Sequence, residues 1–209
     1  PPLVFLGETL SRRRFDGLAM FAWIPEQEMT ARPRRSCLYM PGANPKALEK
    51  AKTLPADVLL LDLEDSVAPE AKEAARDQVT AAVKAGGYGK REVIVRVNAL
   101  VTPWGREDIA AAGAAAPDGI LAPKVESGAE VRELDKAMTD AGFSDEAMLW
   151  VMIETPRAIL NLADIAAAAK GTRLAVFVMG LNDLAKETRA RAGANRAAFF
   201  AAMSLAVTA

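Results

Sequence analysis

The sequence contains no histidine and only one cysteine, Cys37, among its 209 residues. The missing imidazole excludes histidine-based acid–base catalysis, Ser–His and Cys–His nucleophilic pairs, and zinc sites with histidine ligands. A single cysteine cannot form an internal disulfide, which is typical of proteins in a reducing compartment. Cys37 falls in an apolar run, so we expect it to be a small, buried core residue.

The sequence also lacks a strong net charge and long apolar runs. It carries 26 Lys and Arg against 27 Asp and Glu, a net charge of −1, so no general attraction to nucleic acid or anionic membranes is expected. No apolar run reaches the roughly 20 residues that a membrane-spanning helix needs. We expect a cytoplasmic protein, although the apolar patch at residues 1–6 with the basic cluster at 12–14 leaves an organelle open.

Two regions differ in pattern. Residues 1–33 show no sustained periodicity and are predicted to be a poorly ordered N-terminal extension. Residues 34–209 alternate apolar runs with amphipathic segments, and the runs lack polar alternation, which indicates a parallel sheet covered on both faces. Six βα units fit either an open doubly wound sheet or most of a (β/α)8 barrel, which typically needs about 250 residues. The predicted strands are 37–40, 58–62, 92–97, 119–123, 148–153 and 174–179.

Capping residues mark several predicted helix starts and ends. Asn44-Pro45 supplies an N-cap followed by a proline at the first helical position. Ser127 is followed three residues later by Glu130, which is the spacing of a capping box. Thr155-Pro156 opens a helix that is predicted to continue to about residue 171. After the sixth strand, an Ala-rich tail is predicted to be helical up to residue 209.

Charged and amide side chains recur where the predicted strands end. In a parallel α/β fold these ends converge on the ligand crevice, so the recurrence favours a functional site. Glu154 and Asp183 follow the fifth and sixth strands, and two carboxylates in a protein without histidine indicate a hard cation such as Mg²⁺. That pattern favours an enzyme. The other residues at strand ends are Asp62, Glu64, Asp65, Arg96, Asn98, Lys124 and Glu126.

Structural explanations compete with these assignments. Glu154 and Asp183 lie at helix starts, where carboxylates can cap the helix and complement its dipole. The acidic turn at 62–65 is equally consistent with a solvated turn. Arg96 interrupts an apolar strand, so we expect it to have a carboxylate partner from the protein or from a substrate. Lys124 fits either an ion pair with the acidic residues or a ligand contact.

Six of these segments together resemble one family. They are Arg35-Ser-Cys-Leu-Tyr-Met-Pro-Gly42, Asp62-Leu-Glu-Asp-Ser-Val67, Arg96-Val-Asn98, Pro123-Lys-Val-Glu-Ser127, Ile153-Glu-Thr-Pro156 and Gly180-Leu-Asn-Asp-Leu184. In this order they look like the citrate lyase β-subunit-like group, which includes malyl-CoA and citramalyl-CoA lyases of the HpcH/HpaI aldolase superfamily. The resemblance covers about residues 34–209. It implies a (β/α)8 TIM barrel, with only about six βα units present, that uses Mg²⁺ for Claisen-type cleavage or formation of a carbon–carbon bond in a CoA thioester.

The resemblance also implies roles for individual residues. Glu154 and Asp183 match the metal ligands, and Arg96 matches the arginine that binds the 2-oxo acid. The remaining implied contacts are backbone around Leu181 and Asn182 with the same acid, Glu64 and Asp65 with metal-bound waters, and Arg35 and Lys46 with CoA phosphates. A homo-oligomer, either a trimer or a hexamer, is common in the family.

Departures from the family leave alternatives open. Members usually continue for two more βα units, which carry an aspartate that acts as acid or base, and no residue here can be assigned that role. A truncated gene product with open sheet edges is therefore one expectation. One alternative is a non-catalytic barrel that retains metal, 2-oxo-acid or CoA binding. Another is a class II pyruvate aldolase, although those enzymes generally use a histidine base.

Overall fold

The computed structural model of this protein describes residues 32–191 and 193–209. Residues 33–209 form one compact unit. The N-terminal extension predicted for residues 1–33 lies almost entirely outside the described residues and stays a prediction.

Six parallel strands form a single sheet in which every strand lies beside the one that precedes it in the chain. A doubly wound sheet would reverse its strand order at a switch point, whereas a (β/α)8 barrel keeps the sequential order found here. The barrel-type prediction with six βα units is therefore confirmed, and β1 and β6 each have one neighbouring strand in the described chain. The strands are β1 (Cys37–Pro41), β2 (Val58–Asp62), β3 (Glu92–Arg96), β4 (Gly119–Ala122), β5 (Met148–Ile153) and β6 (Leu174–Met179).

Helices connect successive strands, and a 3₁₀ turn at Pro69–Ala71 precedes the second helix. None of the helices in the described residues has both the length and the apolar character of a membrane span. The helices are α1 (Pro45–Ala51), α2 (Lys72–Ala85), α3 (Gly105–Ala115), α4 (Gly128–Asp140), α5 (Pro156–Leu160), α6 (Leu162–Ala167), α7 (Leu181–Thr188) and α8 (Phe200–Thr208).

The two faces of the sheet have different partners. One face packs against the helices and forms the larger apolar cluster, which includes Leu59, Leu61 and Val151. The other, which we call the inner face, has a smaller cluster that includes Leu60, Trp150 and Met152. Because side chains alternate along a strand, the next inner positions beyond this cluster fall at the carboxyl ends of the strands. Those positions carry polar groups instead of apolar ones, and they include Asp62, Arg96 and Glu154.

The amino ends of the strands are held by a buried ion pair on the inner face. Glu92 is completely buried at the start of β3, and Arg34 Nε and Nη2 donate to its two oxygens at 2.7 and 2.8 Å. The Arg34 guanidinium also lies 5.1 Å from the centre of the Trp150 ring on β5. Arg34 therefore connects the chain before β1 to two other strands.

Most of the predicted caps form. Asn44 Oδ1 accepts a hydrogen bond from the Ala47 backbone at the start of α1, and Ser127 Oγ accepts one from Glu130 at the start of α4. The reciprocal bond of a capping box is shifted by one residue, because the Glu130 carboxylate accepts from the backbone of Glu126 at 2.8 Å. Glu130 therefore still bonds to the backbone that precedes α4, but the donor is the N–H of Glu126 instead of that of Ser127.

The single helix predicted from residue 156 to about 171 is wrong, because the chain forms two short helices, α5 and α6. Thr155 caps α5 as expected, by accepting from the Ala158 backbone at 3.1 Å. The break falls at Asn161, whose backbone leaves helical geometry with φ −104° and ψ 10°. Its side-chain amide donates to the Glu126 carbonyl at 2.8 Å, so a tertiary contact holds the residue at the break.

The Ala-rich tail is likewise interrupted rather than continuously helical. Helix α7 ends at Thr188, and Arg189 follows in the left-handed region with φ 54°. A non-helical segment and a 3₁₀ turn at Ala197–Phe199 then precede α8. The expectation for Cys37 is also wrong, because its side chain is exposed. It lies on β1, which has a neighbour on one side only, so its position is not covered as a central strand would be.

Candidate active site

A cavity of about 530 Å³ lies at the carboxyl ends of the strands, where ligands bind in parallel α/β folds. It combines three carboxylates with two guanidinium groups, aromatic rings and backbone from the start of α7. It is lined by Tyr39, Asp65, Arg96, Met152, Glu154, Met179, Gly180, Leu181, Asn182, Asp183, Gly193, Arg196 and Phe199.

Glu154 follows β5 and is only 2% exposed. Its Oε1 accepts a hydrogen bond from the backbone of Lys124 at 2.9 Å, and Oε2 accepts none from the described part of the chain. Burial, opposed by that hydrogen bond and reinforced by the charges of Asp183 and Glu64, raises the pKa of Glu154 to about 7. Glu154 does not cap α5, since Thr155 does so, and the capping explanation therefore fails for this residue.

Asp183 lies in the first turn of α7 and lines the same cavity. The N-cap of α7 is Gly180, and no side chain caps that helix, so Asp183 is not a capping residue either. Its place in the first turn does complement the helix dipole, as expected. Across residues 32–191 and 193–209 its carboxylate has neither an ion pair nor a hydrogen bond. Asp183 and Glu154 thus present carboxylate oxygens without cationic partners to one space.

Arg96 is held by an acidic turn that follows β2. Its Nε and Nη2 donate to the two oxygens of Asp62 at 2.7 and 2.8 Å, an arrangement set by the pairing of Asp62 with Arg96 across neighbouring strands. Its Nη1 lies 2.9 Å from Glu64 and 3.2 Å from Asp65. The predicted carboxylate partner of Arg96 is therefore found within the protein.

Burial and charge act in opposite directions in this cluster. Burial raises the pKa of Asp62, but the hydrogen bonds and charge of Arg96 outweigh it, so the pKa lies below its usual range. Burial also raises the pKa of Glu64, and the guanidinium of Arg96 only partly offsets this effect. Tyr39 completes the group, because its ring centre lies 5.2 Å from the Arg96 guanidinium.

Lys72 supports the acidic turn from behind. Its buried ammonium donates to the carbonyls of Leu63 and Glu64 at 2.8 and 2.7 Å, and to Oδ1 of Asn98 at 2.8 Å. Burial lowers the pKa of Lys72. Asn98 in turn donates to the buried carboxylate of Asp108, so it holds the turn in place rather than lining the cavity. This fixes the backbone that carries the carboxylates around Arg96.

The structure separates the two residues expected to contact CoA from this cavity. Arg35 precedes β1 at the opposite end of the sheet, where its guanidinium forms a fork with Asp57 at 2.8 and 3.1 Å. Lys46 is exposed in the first turn of α1. Neither lines the cavity, and their contact with CoA phosphates stays a prediction. Lys124 is exposed, and its backbone N–H donates to Glu154. The charge of its side chain also acts to lower the pKa of Glu154, although the two side chains form no ion pair within the described residues.

Sequence reasoning did not single out several groups of the cavity. Alternation along β1 could have placed Tyr39 on the inner face, because it pairs with Leu60. The same alternation along β5 places Met152 on the inner face. Met179 is the last residue of β6, at the end of the sheet where the cavity lies. No pattern indicates that Gly193, Arg196 and Phe199 return to the cavity from beyond α7, because a turn in an irregular segment directs them there.

The two carboxylates fit a magnesium ion. Among the residues that the structure describes, no three His, Cys, Asp or Glu side chains form a complete metal site. Mg²⁺ does not need one, because it keeps several waters and binds through one or two carboxylates together with substrate oxygens. Glu154 Oε2 and the Asp183 carboxylate accept no hydrogen bond within the described residues, and both residues line this cavity. They therefore offer the one or two carboxylates that Mg²⁺ needs.

The strand order and the acidic rim define a barrel-type α/β protein with a candidate cation site at the carboxyl ends of its strands. Residues 35–209 match the family described as HpcH/HpaI aldolase/citrate lyase. The chain belongs to this family.

Individual relatives support the assignment. The chain is 43% identical over 179 residues to a (3S)-malyl-CoA thioesterase of Cereibacter sphaeroides, covering 86% of this chain and 60% of that protein. It is 34% identical over 168 residues to citrate lyase subunit beta of Escherichia coli, covering 78% and 55%. The chain thus spans little more than half the length of these relatives.

A solved structure shares the fold. The citrate lyase beta subunit from Mycobacterium tuberculosis, complexed with oxaloacetate and magnesium, superimposes with a TM-score of 0.65 at 28% identity. The alignment covers 83% of this chain and 73% of that one. In that relative, the same type of fold therefore holds a divalent metal together with a 2-oxo dicarboxylic acid.

Proposed function

We propose that this chain forms the Mg²⁺- and 2-oxo-acid-binding part of an enzyme that cleaves or forms a carbon–carbon bond in a CoA thioester resembling malyl-CoA or citramalyl-CoA. The observation that carries the proposal is the pairing of Glu154 and Asp183 on one cavity beside Arg96. The relative solved with oxaloacetate and magnesium supports the choice of ligand class.

The carboxylates of Glu154 and Asp183 would hold the cation. The backbone of Lys124 fixes one oxygen of Glu154 and leaves the other facing the cavity. When bound there, Mg²⁺ would polarise the carbonyl of the 2-oxo acid and offset the charge of an enolate. Glu64 and Asp65, which lie 2.9 and 3.2 Å from Arg96 Nη1, would orient the waters bound to the cation.

The start of α7 offers hydrogen-bond donors to the acid. Leu181 and Asn182 are its first two residues, and the first N–H groups of a helix have no acceptor within the helix. Both residues line the cavity next to Asp183. Their backbone would bind the carboxylate of the substrate, while the guanidinium of Arg96 stabilises negative charge that develops on the reacting oxygen.

Thioester hydrolysis is the second candidate, because a relative with 43% identity is a (3S)-malyl-CoA thioesterase. Both reactions start from the same bound acyl-CoA. Cleavage breaks the carbon–carbon bond next to the hydroxyl-bearing carbon and releases the acetyl-CoA enolate, which is then protonated, whereas hydrolysis adds water to the thioester carbonyl and releases free CoA. Incubation with malyl-CoA separates them, because cleavage yields glyoxylate and acetyl-CoA whereas hydrolysis yields malate and free CoA. In either case we expect CoA phosphates near Arg35 and Lys46, and a trimer or hexamer.

Isothermal titration of the 209-residue protein with Mg²⁺, and then with pyruvate, glyoxylate or oxaloacetate at saturating Mg²⁺, tests the proposal. Asp183→Asn should weaken Mg²⁺ binding at least 10-fold with little change in unfolding, because a charged ligand becomes neutral. Glu187→Gln is the matched control, since Glu187 is an exposed acid on the same helix. A folded wild type that binds neither Mg²⁺ nor a 2-oxo acid would support the non-catalytic alternative instead.

A further inference from the structure

Arg96 has little capacity left to bind a substrate carboxylate. Asp62 takes two of its N–H groups, and Glu64 and Asp65 lie within 3.2 Å of Nη1. A guanidinium has five N–H groups, so these contacts nearly exhaust them. Three carboxylates also outweigh its single positive charge. A guanidinium that pairs with the carboxylate of a 2-oxo acid, beside the proposed Mg²⁺, is therefore better sought elsewhere in the cavity.

Arg196 is the second guanidinium that lines this cavity. Its side chain is exposed, and within residues 32–191 and 193–209 it forms no ion pair and no side-chain hydrogen bond. It is thus a cation whose donors are available, on the same cavity as Glu154 and Asp183. It belongs to the irregular segment between α7 and α8, which the proposed mechanism does not use.

Hydrogen bonds hold the backbone around Arg196, whereas its side chain forms none within the described residues. Its N–H donates to the Gly193 carbonyl at 3.0 Å, and its own carbonyl accepts from Phe199 at 2.9 Å. The residue has a left-handed backbone with φ 53°, and the following 3₁₀ turn is anchored by Phe199, which is 2% exposed. A backbone conformation uncommon for arginine therefore carries this side chain at the cavity.

We propose that Arg196 is the specificity-determining residue that binds the carboxylate of the 2-oxo acid, so that the site selects carboxylate-bearing 2-oxo compounds over their neutral esters. This inference rests on the proposed function. Arg96, held by its acidic turn, then contributes positive charge beside the reacting carbonyl. Arg196 contributes a planar fork to the same carboxylate that the backbone of Leu181 and Asn182 would bind, and all three residues line one cavity.

The test compares pyruvate with methyl pyruvate, which keeps the 2-oxo group but lacks the charge. Affinities are measured by isothermal titration at saturating Mg²⁺ for wild type, Arg196→Gln, Arg196→Lys and Arg191→Gln. Arg191 is an exposed arginine near Arg196 that does not line the cavity, which makes it the matched control. Mg²⁺ affinity alone is measured for each variant.

We expect Arg196→Gln to weaken pyruvate binding about 10- to 100-fold, as expected for loss of a charge-assisted hydrogen bond, and to leave methyl pyruvate binding unchanged. The pyruvate affinity of Arg196→Lys should lie between those of wild type and Arg196→Gln, and the affinity of Arg191→Gln should equal that of wild type. Mg²⁺ affinity should stay the same or increase in Arg196→Gln, because a neighbouring positive charge is removed.

Two results would overturn the inference while leaving the proposed function intact: unchanged pyruvate binding in Arg196→Gln, or an equal loss for both ligands. A wild type that binds Mg²⁺ but prefers methyl pyruvate would also overturn it. Failure of folded wild type to bind Mg²⁺ and pyruvate would overturn both proposals together.

Discussion

Gly180 lies directly against the carboxylate of Glu154. A Cβ at Gly180 would come 2.5 Å from the Cβ of Glu154 and 2.6 Å from its Oε2, both far inside contact distance. The backbone cannot simply retreat, because the Gly180 N–H donates to the Ile153 carbonyl at 3.1 Å. Glycine at this position therefore leaves room for the carboxylate that we propose as a metal ligand.

Gly180→Ala should displace the Glu154 carboxylate and weaken Mg²⁺ binding at least 10-fold. Overpacking of this kind typically destabilises a protein by about 1–3 kcal/mol. Gly193→Ala is the control, because that glycine lines the same cavity but its Cβ would come no closer than 3.4 Å to a neighbour. Isothermal titration and urea unfolding measure both effects. Normal Mg²⁺ affinity in Gly180→Ala would argue against Glu154 as a ligand.

Glu154→Gln should stabilise the metal-free protein at pH 8. The pKa of Glu154 is raised from 4.5 to about 7, so the folded state favours the protonated form, and that contribution is lost as pH rises through 7. Above pH 7 the buried charge is unfavourable by at most about 3.5 kcal/mol, since the pKa rises by about 2.5 and one pKa unit equals about 1.4 kcal/mol. Glutamine keeps an acceptor for the Lys124 N–H but carries no charge.

Urea unfolding at pH 5 and pH 8 tests this without added metal. The gain in free energy of unfolding from Glu154→Gln should be about 1–3 kcal/mol at pH 8 and less than about 1 kcal/mol at pH 5, because the difference in ionisation between the folded and unfolded states begins above the unfolded pKa of 4.5. Glu187→Gln should show no such pH dependence. An equal gain at both pH values would mean that the charge of the Glu154 carboxylate does not destabilise the folded protein.

Arg96→Lys should destabilise the protein by about 1–3 kcal/mol and weaken pyruvate binding. An ammonium cannot reproduce the fork that meets both oxygens of Asp62, and the side chains of Arg96 and Asp62 are only 7% and 3% exposed. Arg106→Lys is the control, because its pair with Glu133 is exposed at 66% and 52% and should contribute less than about 1 kcal/mol. Equal unfolding midpoints for the two variants would contradict the buried role of Arg96.

Lys72→Met should loosen the acidic turn by removing the ammonium that donates to the Leu63 and Glu64 carbonyls and to Asn98 Oδ1. The two carbonyls keep one donor each, from Asn98 and Val67, so Asn98 Oδ1 is the acceptor that loses its donor. We expect a loss of about 1–3 kcal/mol in the free energy of unfolding, because an unsatisfied buried polar group is costly. Amide hydrogen exchange at Glu64 and Ser66, whose N–H groups donate to Asp62, should become faster. Lys84→Met, an exposed position on the same helix, should change neither measurement.

The sequence predicted the strands to within about a residue, because apolar runs without alternation are flanked by capping residues and glycines. It could not predict that one helix breaks at Asn161, since the cause is a contact with the distant Glu126 carbonyl. The sequence also could not predict the order of the strands in the sheet, because helical connections of similar length occur in both doubly wound and barrel folds.

For the site, strand-end positions alone predicted that Glu154, Asp183 and Arg96 would meet, and they line one cavity. The identity of the partner of Arg96 required the strand register, which pairs Asp62 with it. Arg196 could not be found from sequence, because it reaches the cavity through an irregular turn with a left-handed residue. Assignments of metal, acid and CoA contacts stay predictions until ligand binding is measured.

The contact between Arg34 and Glu92 determines which truncations at the start of the folded unit should be tolerated. Glu92 is fully enclosed, and the guanidinium that neutralises it comes from a residue outside the sheet. A protease that cuts before Arg34 leaves this charge balanced, whereas a cut a few residues later isolates a buried anion at the base of β3. On the amino-terminal side, the shortest stable form of this folded unit should therefore be set by one electrostatic contact, and not by where the first strand begins.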